Sequence, residues 1–170
     1  EDARPTTGRI CATVMFTDIV GSTEQAVQMG DSRWKELLDE HDLMVSNLVR
    51  DFHGRTVNHT GDGILATLER PTNAIRCAGS LRQKLRDRGI RIRTGVHTGE
   101  IDLRGDNIGG VAVHTAARVR AQADADEIMV SSTVRDLVAG SGVEFMDRGG
   151  HVLKGLPGEW RLLAVELLPD

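Results

Sequence analysis

The chain has 170 residues, of which 39% are hydrophobic and 27% charged, enough for one globular domain with a real core and too few for two. A net charge of −4 with only 3% aromatic residues argues against nucleic acid as the main partner, since that role calls for a basic face and stacking platforms. No apolar run approaches the ~18–20 residues of a membrane span, and the start EDARPTTGR has no signal-peptide layout. The domain is therefore expected to be cytoplasmic, without membrane contact of its own. It begins at Glu1 rather than Met, which reads as part of a longer polypeptide and leaves room for a fused regulatory domain. Cys11 and Cys77 sit in apolar runs, form no CxxC pair, and are expected to be reduced core residues.

In chain order, Ile10 to Phe16 is continuously apolar and ends at Thr17-Asp18, the pattern of a strand buried on both faces that stops at a polar site. Ile19 to Glu24 forms a small-residue turn running into a helix start. From Trp34, apolar residues recur at Leu37, Leu38, His41, Val45, Leu48, Val49 and Phe52, marking one face of a long helix that Gly54 closes. Thr56 to Thr60 and Ile64 to Leu68 read as strands joined by a tight Gly61-Asp62-Gly63 turn. Pro71 opens a second long helix with the stripe Ala74, Ile75, Ala78, Leu81 and Leu85, ended by Gly89. Ile90 to Val96 is a strand, LRGDNIGG a loop, Val111 to Gln122 an Ala-rich helix, Glu127 to Val130 a strand and Ser132 to Val138 a helix. Val143 to Glu166 reads as strands joined by a hairpin. A hairpin between helices does not belong to a purely parallel, doubly wound sheet, so the expected class is α+β: a mixed antiparallel sheet with helices packed on one face.

Asp18 at a strand end and Asp62 in a turn between two strands would stand side by side if those strands pair in the same sheet. Such carboxylate pairs hold two divalent cations that activate an attacking oxygen and stabilise a leaving one. From spacing alone, the alternative that each Asp serves only its turn stays open. Backbone amides after Asp18, at Gly21, Ser22 and Thr23, suit phosphate oxygens. His114 and Arg118, four apart, project from one face of an otherwise small and apolar helix, and an arginine so placed suits the charge on a pentavalent phosphorus. A surface salt bridge for Arg118 and a core position for His114 remain the alternative. Lys154, beside a turn, reads on its own as an ordinary solvated lysine. The chain carries no GxxxxGK[ST], HExxH or GxSxG, so P-loop, zinc-peptidase and serine-hydrolase chemistries have no foothold.

Five ordered strings, FTDIVGST at 16–23, TGDG at 60–63, GVHTGE at 95–100, AVHTAAR at 112–118 and LKG at 153–155, resemble class III adenylate/guanylate cyclase catalytic domains from about Arg9 to Glu166, which implies one such domain over residues 9–168. The resemblance implies a ferredoxin-like α+β core related to polymerase palm domains, working as a head-to-tail homodimer with active sites at the interface. It implies that Asp18, Asp62 and Ile19 bind two cations, Mg or Mn, and that the backbone at Gly21, Ser22 and Thr23 takes the β- and γ-phosphates. From the partner subunit it implies Arg118 at the α-phosphate and Lys154 at the terminal phosphates. The family often has Asn where this chain has His114, which still donates a hydrogen bond. Asn58 and Asn107, with Asp106 adjacent, fall where adenylate cyclases carry the Lys and Asp that read adenine. Amides donate and accept alike, so the expectation is ATP cyclisation with relaxed base choice that admits GTP. A catalytically silent nucleotide-binding or dimerisation module is the rival; a diguanylate cyclase would carry a GG(D/E)EF turn, absent here.

Overall fold

The computed structural model describes residues 5–59 and 62–169; Thr60 and Gly61, half of the TGDG string, lie outside the described residues. Its centre is β1 (Thr7–Ile19), whose first five residues are exposed and whose Ala12 to Thr17 stretch is buried. β1 pairs antiparallel with β3 (Gly63–Leu68) on one side and with β4 (Ile92–Arg104) along its whole length on the other. β2 (Arg55–His59) continues the sheet beyond β3, while β6 (Ile128–Ser131), β8 (Trp160–Leu167) and β7 (Glu144–His151) continue it beyond β4. The one parallel pairing among these, β4 with β6, follows from the helical crossover between them. The sheet is thus mixed and mostly antiparallel, as the α+β expectation requires.

Strand alternation sorts the core. Met15 and Ile19 of β1 face one side, with Val45, Leu48 and Val49 of α2 (Asp31–Asp51) and Ile75, Leu81 and Leu85 of α3 (Pro71–Arg86). Each fully buried large aliphatic side chain there contributes ~1.5–3 kcal/mol. Val134 of α5 (Ser132–Leu137) joins the same cluster. Ala12, Val14 and Phe16 face the other side, against Ala112 and Ala116 of α4 (Val111–Ala121). Helices therefore cover both faces, where one was expected. The small-residue stripe of α4 explains it: Gly95 and Gly99 lie four apart on one face of β4, and a Cβ at Gly95 would sit 2.3 Å from the Arg120 amide nitrogen. Without side chains at those positions the strand accepts a closely seated helix.

Three other details depart from expectation. β4 runs on to Arg104 and turns back into a three-residue strand, β5 (Asn107–Gly109), inside the stretch expected to be loop. α1 (Ser22–Met29) is a separate short helix that buries no residue, split from α2 by Gly30 at φ 83°. Cys77 is buried, and burial pushes its thiol up to about 12, but Cys11 is exposed because it lies in the uncovered first part of β1. No described helix is long and apolar enough to cross a membrane.

Candidate active site

The buried run of β1 delivers Asp18 to the sheet's end on the α4 side, the same face as Val14 and Phe16. Its strand neighbours are Gly63 of β3 and Arg93 of β4. A Cβ at Gly63 would lie 2.0 Å from the Thr17 carbonyl oxygen, so only glycine lets the turn before β3 come this close. The Ile19 amide donates to the Asp62 carbonyl at 3.1 Å. Asp62 is thereby held beside residues 18 and 19, the juxtaposition that pairing of the two strands predicts.

On the other side of Asp18 from the Asp62 turn sits a group that sequence reasoning missed. Arg93 grips both oxygens of Asp18, with Nε donating to Oδ1 at 3.0 Å and Nη2 to Oδ2 at 2.7 Å. This two-point pair is the strong form of the carboxylate–guanidinium contact. The hydrogen bond to Asp18 raises the Arg93 pKa, opposed by burial and aided by the charges of Asp18 and Asp62. A second guanidinium stands behind: Arg120 Nε is 3.7 Å from Asp18 Oδ2, and its Cζ lies 5.2 Å from the Phe16 ring centroid. Alternation along Ile92-Arg93-Thr94 from a strand paired with β1 could have located Arg93; Arg120 needed the seat of α4 on Gly95.

The side-chain oxygens that could face a cation here are the carboxylates of Asp18 and Asp62, and Arg93 already stands as a cation acted on by both of them. Among the described residues no group of three or more His, Cys, Asp or Glu side chains gathers. Such a sparse oxygen set fits Mg²⁺ or Mn²⁺ completed by water and substrate oxygens, not a closed zinc cage.

Just beyond, the Ile19 and Val20 amides are taken by Asp62 and Arg91 carbonyls, and the first helical bond of α1 runs from the Gln25 amide to the Gly21 carbonyl at 3.0 Å. Gly21 adopts a left-handed turn at φ 67°, and no side chain caps the helix. The amides of Gly21, Ser22 and Thr23 thus open the helix without intrahelical partners.

A second cluster forms on α4. His114 is exposed, and Arg118, one turn on, buries its Nε without a hydrogen-bond partner among the described residues. The LKG turn follows β7: Leu153 packs in the cluster that contains Val119 of α4, and Gly155 at φ 81° passes so close that a Cβ would sit 3.1 Å from His114 Nε2. His114, Arg118 and Lys154 therefore belong to one neighbourhood. Among the described residues no ion pair or hydrogen bond joins any of them to Asp18 or Asp62.

Asn58 is exposed on β2 just after a register irregularity. Asn107 is exposed on β5, its Oδ1 accepting from the Ile108 amide at 2.8 Å. Arg55 at the start of β2 donates to the Asp106 carbonyl at 3.3 Å, which ties the β4–β5 hairpin to the strand bearing Asn58. No direct bond links Asn58, Asn107 and the Asp106 carboxylate among the described residues.

The family described as the adenylate and guanylate cyclase catalytic domain matches residues 6–165. The chain is 33% identical over 134 residues to a putative adenylate cyclase 3 of Rhizobium meliloti (strain 1021), covering 74% of this chain and 22% of that protein's length. In fold it is similar to the adenylyl cyclase CyaB from P. aeruginosa, with TM-score 0.85 and 22% identity over 96% of this chain and 97% of that one. It is also similar to the non-canonical dimeric guanylyl cyclase domain of the RhoGC fusion protein from Blastocladiella emersonii, with TM-score 0.82 and 18% identity over 93% and 97% of the two chains.

Proposed function

Because the chain belongs to the adenylate and guanylate cyclase catalytic-domain family, we propose that it converts ATP to 3′,5′-cyclic AMP and pyrophosphate, with base choice relaxed enough to admit GTP, at sites shared between two copies of itself. The observation that carries this is the separation of the polar groups: among the described residues no hydrogen bond or ion pair joins His114, Arg118 or Lys154 to Asp18 or Asp62. Asp18, Asp62 and the Ile19 carbonyl hold two Mg or Mn ions, which when bound lower the pKa of the ribose 3′-hydroxyl and neutralise phosphate charge. The amides of Gly21, Ser22 and Thr23 receive the β- and γ-phosphates. From the second copy, Arg118 meets the charge that develops on the α-phosphate, His114 donates a hydrogen bond to ribose or phosphate, and Lys154 pairs with the terminal phosphates. The ribose 3′-oxygen bonds to the α-phosphorus in line as the bond to the β-phosphate oxygen breaks, and no covalent enzyme intermediate is needed. One relative named for adenylate cyclase activity supports the nucleotide class, and one neighbour titled a non-canonical dimeric guanylyl cyclase domain supports self-association of such domains.

The test is steady-state cyclisation of ATP and GTP with Mn²⁺, products identified by mass. Cyclic AMP with measurable cyclic GMP is expected. An ATP preference beyond about a thousandfold, ~4 kcal/mol, contradicts relaxed base choice, and no cyclic product at high protein concentration contradicts the activity. Asn58→Lys with Asn107→Asp is expected to sharpen ATP selectivity roughly tenfold or more, since a charged pair rejects the wrong base edge better than two amides.

A further inference from the structure

We propose that Arg120, together with Arg93, makes the Asp18 site refuse free divalent cations and accept them only in company with the nucleotide's phosphates. This rests on the reading of Asp18 and Asp62 as cation ligands. Arg93 spans both oxygens of Asp18, and Arg120 Nε approaches Oδ2 to 3.7 Å. Arg93 is a third exposed and stands at the start of β4; Arg120 is the more enclosed of the two. Its backbone lies on Gly95, its guanidinium is stacked on Phe16, its side chain is 23% exposed, and its Nε has no hydrogen-bond partner among the described residues. A guanidinium seated on an aromatic ring and mostly enclosed keeps its charge beside Asp18 when another cation arrives, and it does not lose its proton.

The formal charges then decide the order of events. Asp18 and Asp62 are balanced by Arg93 and Arg120, so the resting site is neutral without any metal. A lone divalent ion would leave it doubly positive in a partly buried place, where charge repulsion is weakly screened. Two divalent ions and a fully ionised nucleoside triphosphate add no net charge, so the loaded site is neutral again. Removal of Arg120 leaves one net negative charge, which suits a free cation. The arginines thus couple metal occupancy to nucleotide occupancy, and Arg120 acts as a positioning charge without touching substrate.

Electron paramagnetic resonance of Mn²⁺ reads occupancy without turnover. The wild-type protein is expected to leave Mn²⁺ free until a non-cyclisable ATP analogue is added. Arg120→Met, which preserves the packing on Phe16, is expected to bind Mn²⁺ at least tenfold tighter without nucleotide, and Arg120→Lys to refuse it as the wild type does; Arg120→Gln replaces Arg120→Met if thermal unfolding shows that variant misfolded. Unchanged nucleotide-free Mn²⁺ binding in Arg120→Met and Arg120→Gln overturns the proposal, as does tight Mn²⁺ binding by wild type alone. If Asp18→Asn leaves nucleotide-dependent Mn²⁺ binding intact, the ligand reading beneath the proposal is what fails.

Discussion

At the end of β1 the charged side chains find their partners inside the chain: Asp18 is gripped by Arg93 and backed by Arg120, and the turn carrying Asp62 is bonded to Ile19. Around Arg118 of α4 the balance differs. Arg118 buries an Nε with neither a hydrogen-bond partner nor an ion pair among the described residues, whereas the likewise unbonded Arg120 Nε has Asp18 Oδ2 at 3.7 Å; exposed Lys154 and His114 also lack an ion pair there. A buried guanidinium nitrogen left unanswered is costly, and on the proposed function Arg118 is kept so for the substrate's phosphate. On the proposed function, the first region is the half-site that takes cations and phosphate, and the second is the one that meets an anion.

The sharpest way to break this contrast is to remove one member of each region. Asp18→Asn or Asp62→Asn should lower cyclic nucleotide formation about a thousandfold or more, and Arg118→Ala by roughly a hundred- to a thousandfold, with little change in thermal unfolding. Losses of only a few-fold in the Asp variants would mean that the balanced region is merely structural. Gly63→Ala should be next in size. Its methyl would meet the Thr17 carbonyl at 2.0 Å, so the turn must move, at ~2–4 kcal/mol in unfolding free energy and with loss of activity. An unchanged Tm would show that the Asp62 turn is not held as tightly as described.

The smallest effect concerns the floor the two regions share. His97 of β4 is buried under α4, shares a 2.6 Å hydrogen bond with Ser131 Oγ, packs edge-on against Trp160, and burial pushes its pKa down to about 4. The folded protein therefore keeps it neutral while the unfolded chain protonates it near 6.5. Its contribution to stability is fully present above that value and is lost as pH falls from 6.5 toward 4. Urea unfolding across that window should show the decline, and His97→Gln should flatten part of it; identical slopes would sink the assignment.

Much of this was legible from residue patterns. The apolar run ending at Asp18, the two amphipathic stripes of α2 and α3, and the glycine-flanked Asp62 each encode a local geometry that tertiary packing keeps. β5 was not legible, because three residues carry no periodicity and pair only through the hairpin with β4. Cys11 was misjudged since an apolar run does not reveal where its helical cover stops. Arg93 and Arg120 were hidden for a different reason: a charged residue near a strand end or on a helix declares its partner only when the register and the helix seat are known. The same limit applied to α4, whose small residues fit either face until the Gly95–Gly99 groove fixed one.

The claim that the two regions complete each other between copies is tested most directly by mixing. Asp18→Asn and Arg118→Ala proteins should each be nearly inactive alone and, when combined, should form heterodimers with one intact site. An equal mixture that exchanges freely should recover about a quarter of wild-type turnover, the statistical share for a two-fold assembly. No recovery from folded, self-associating parents would contradict the shared site.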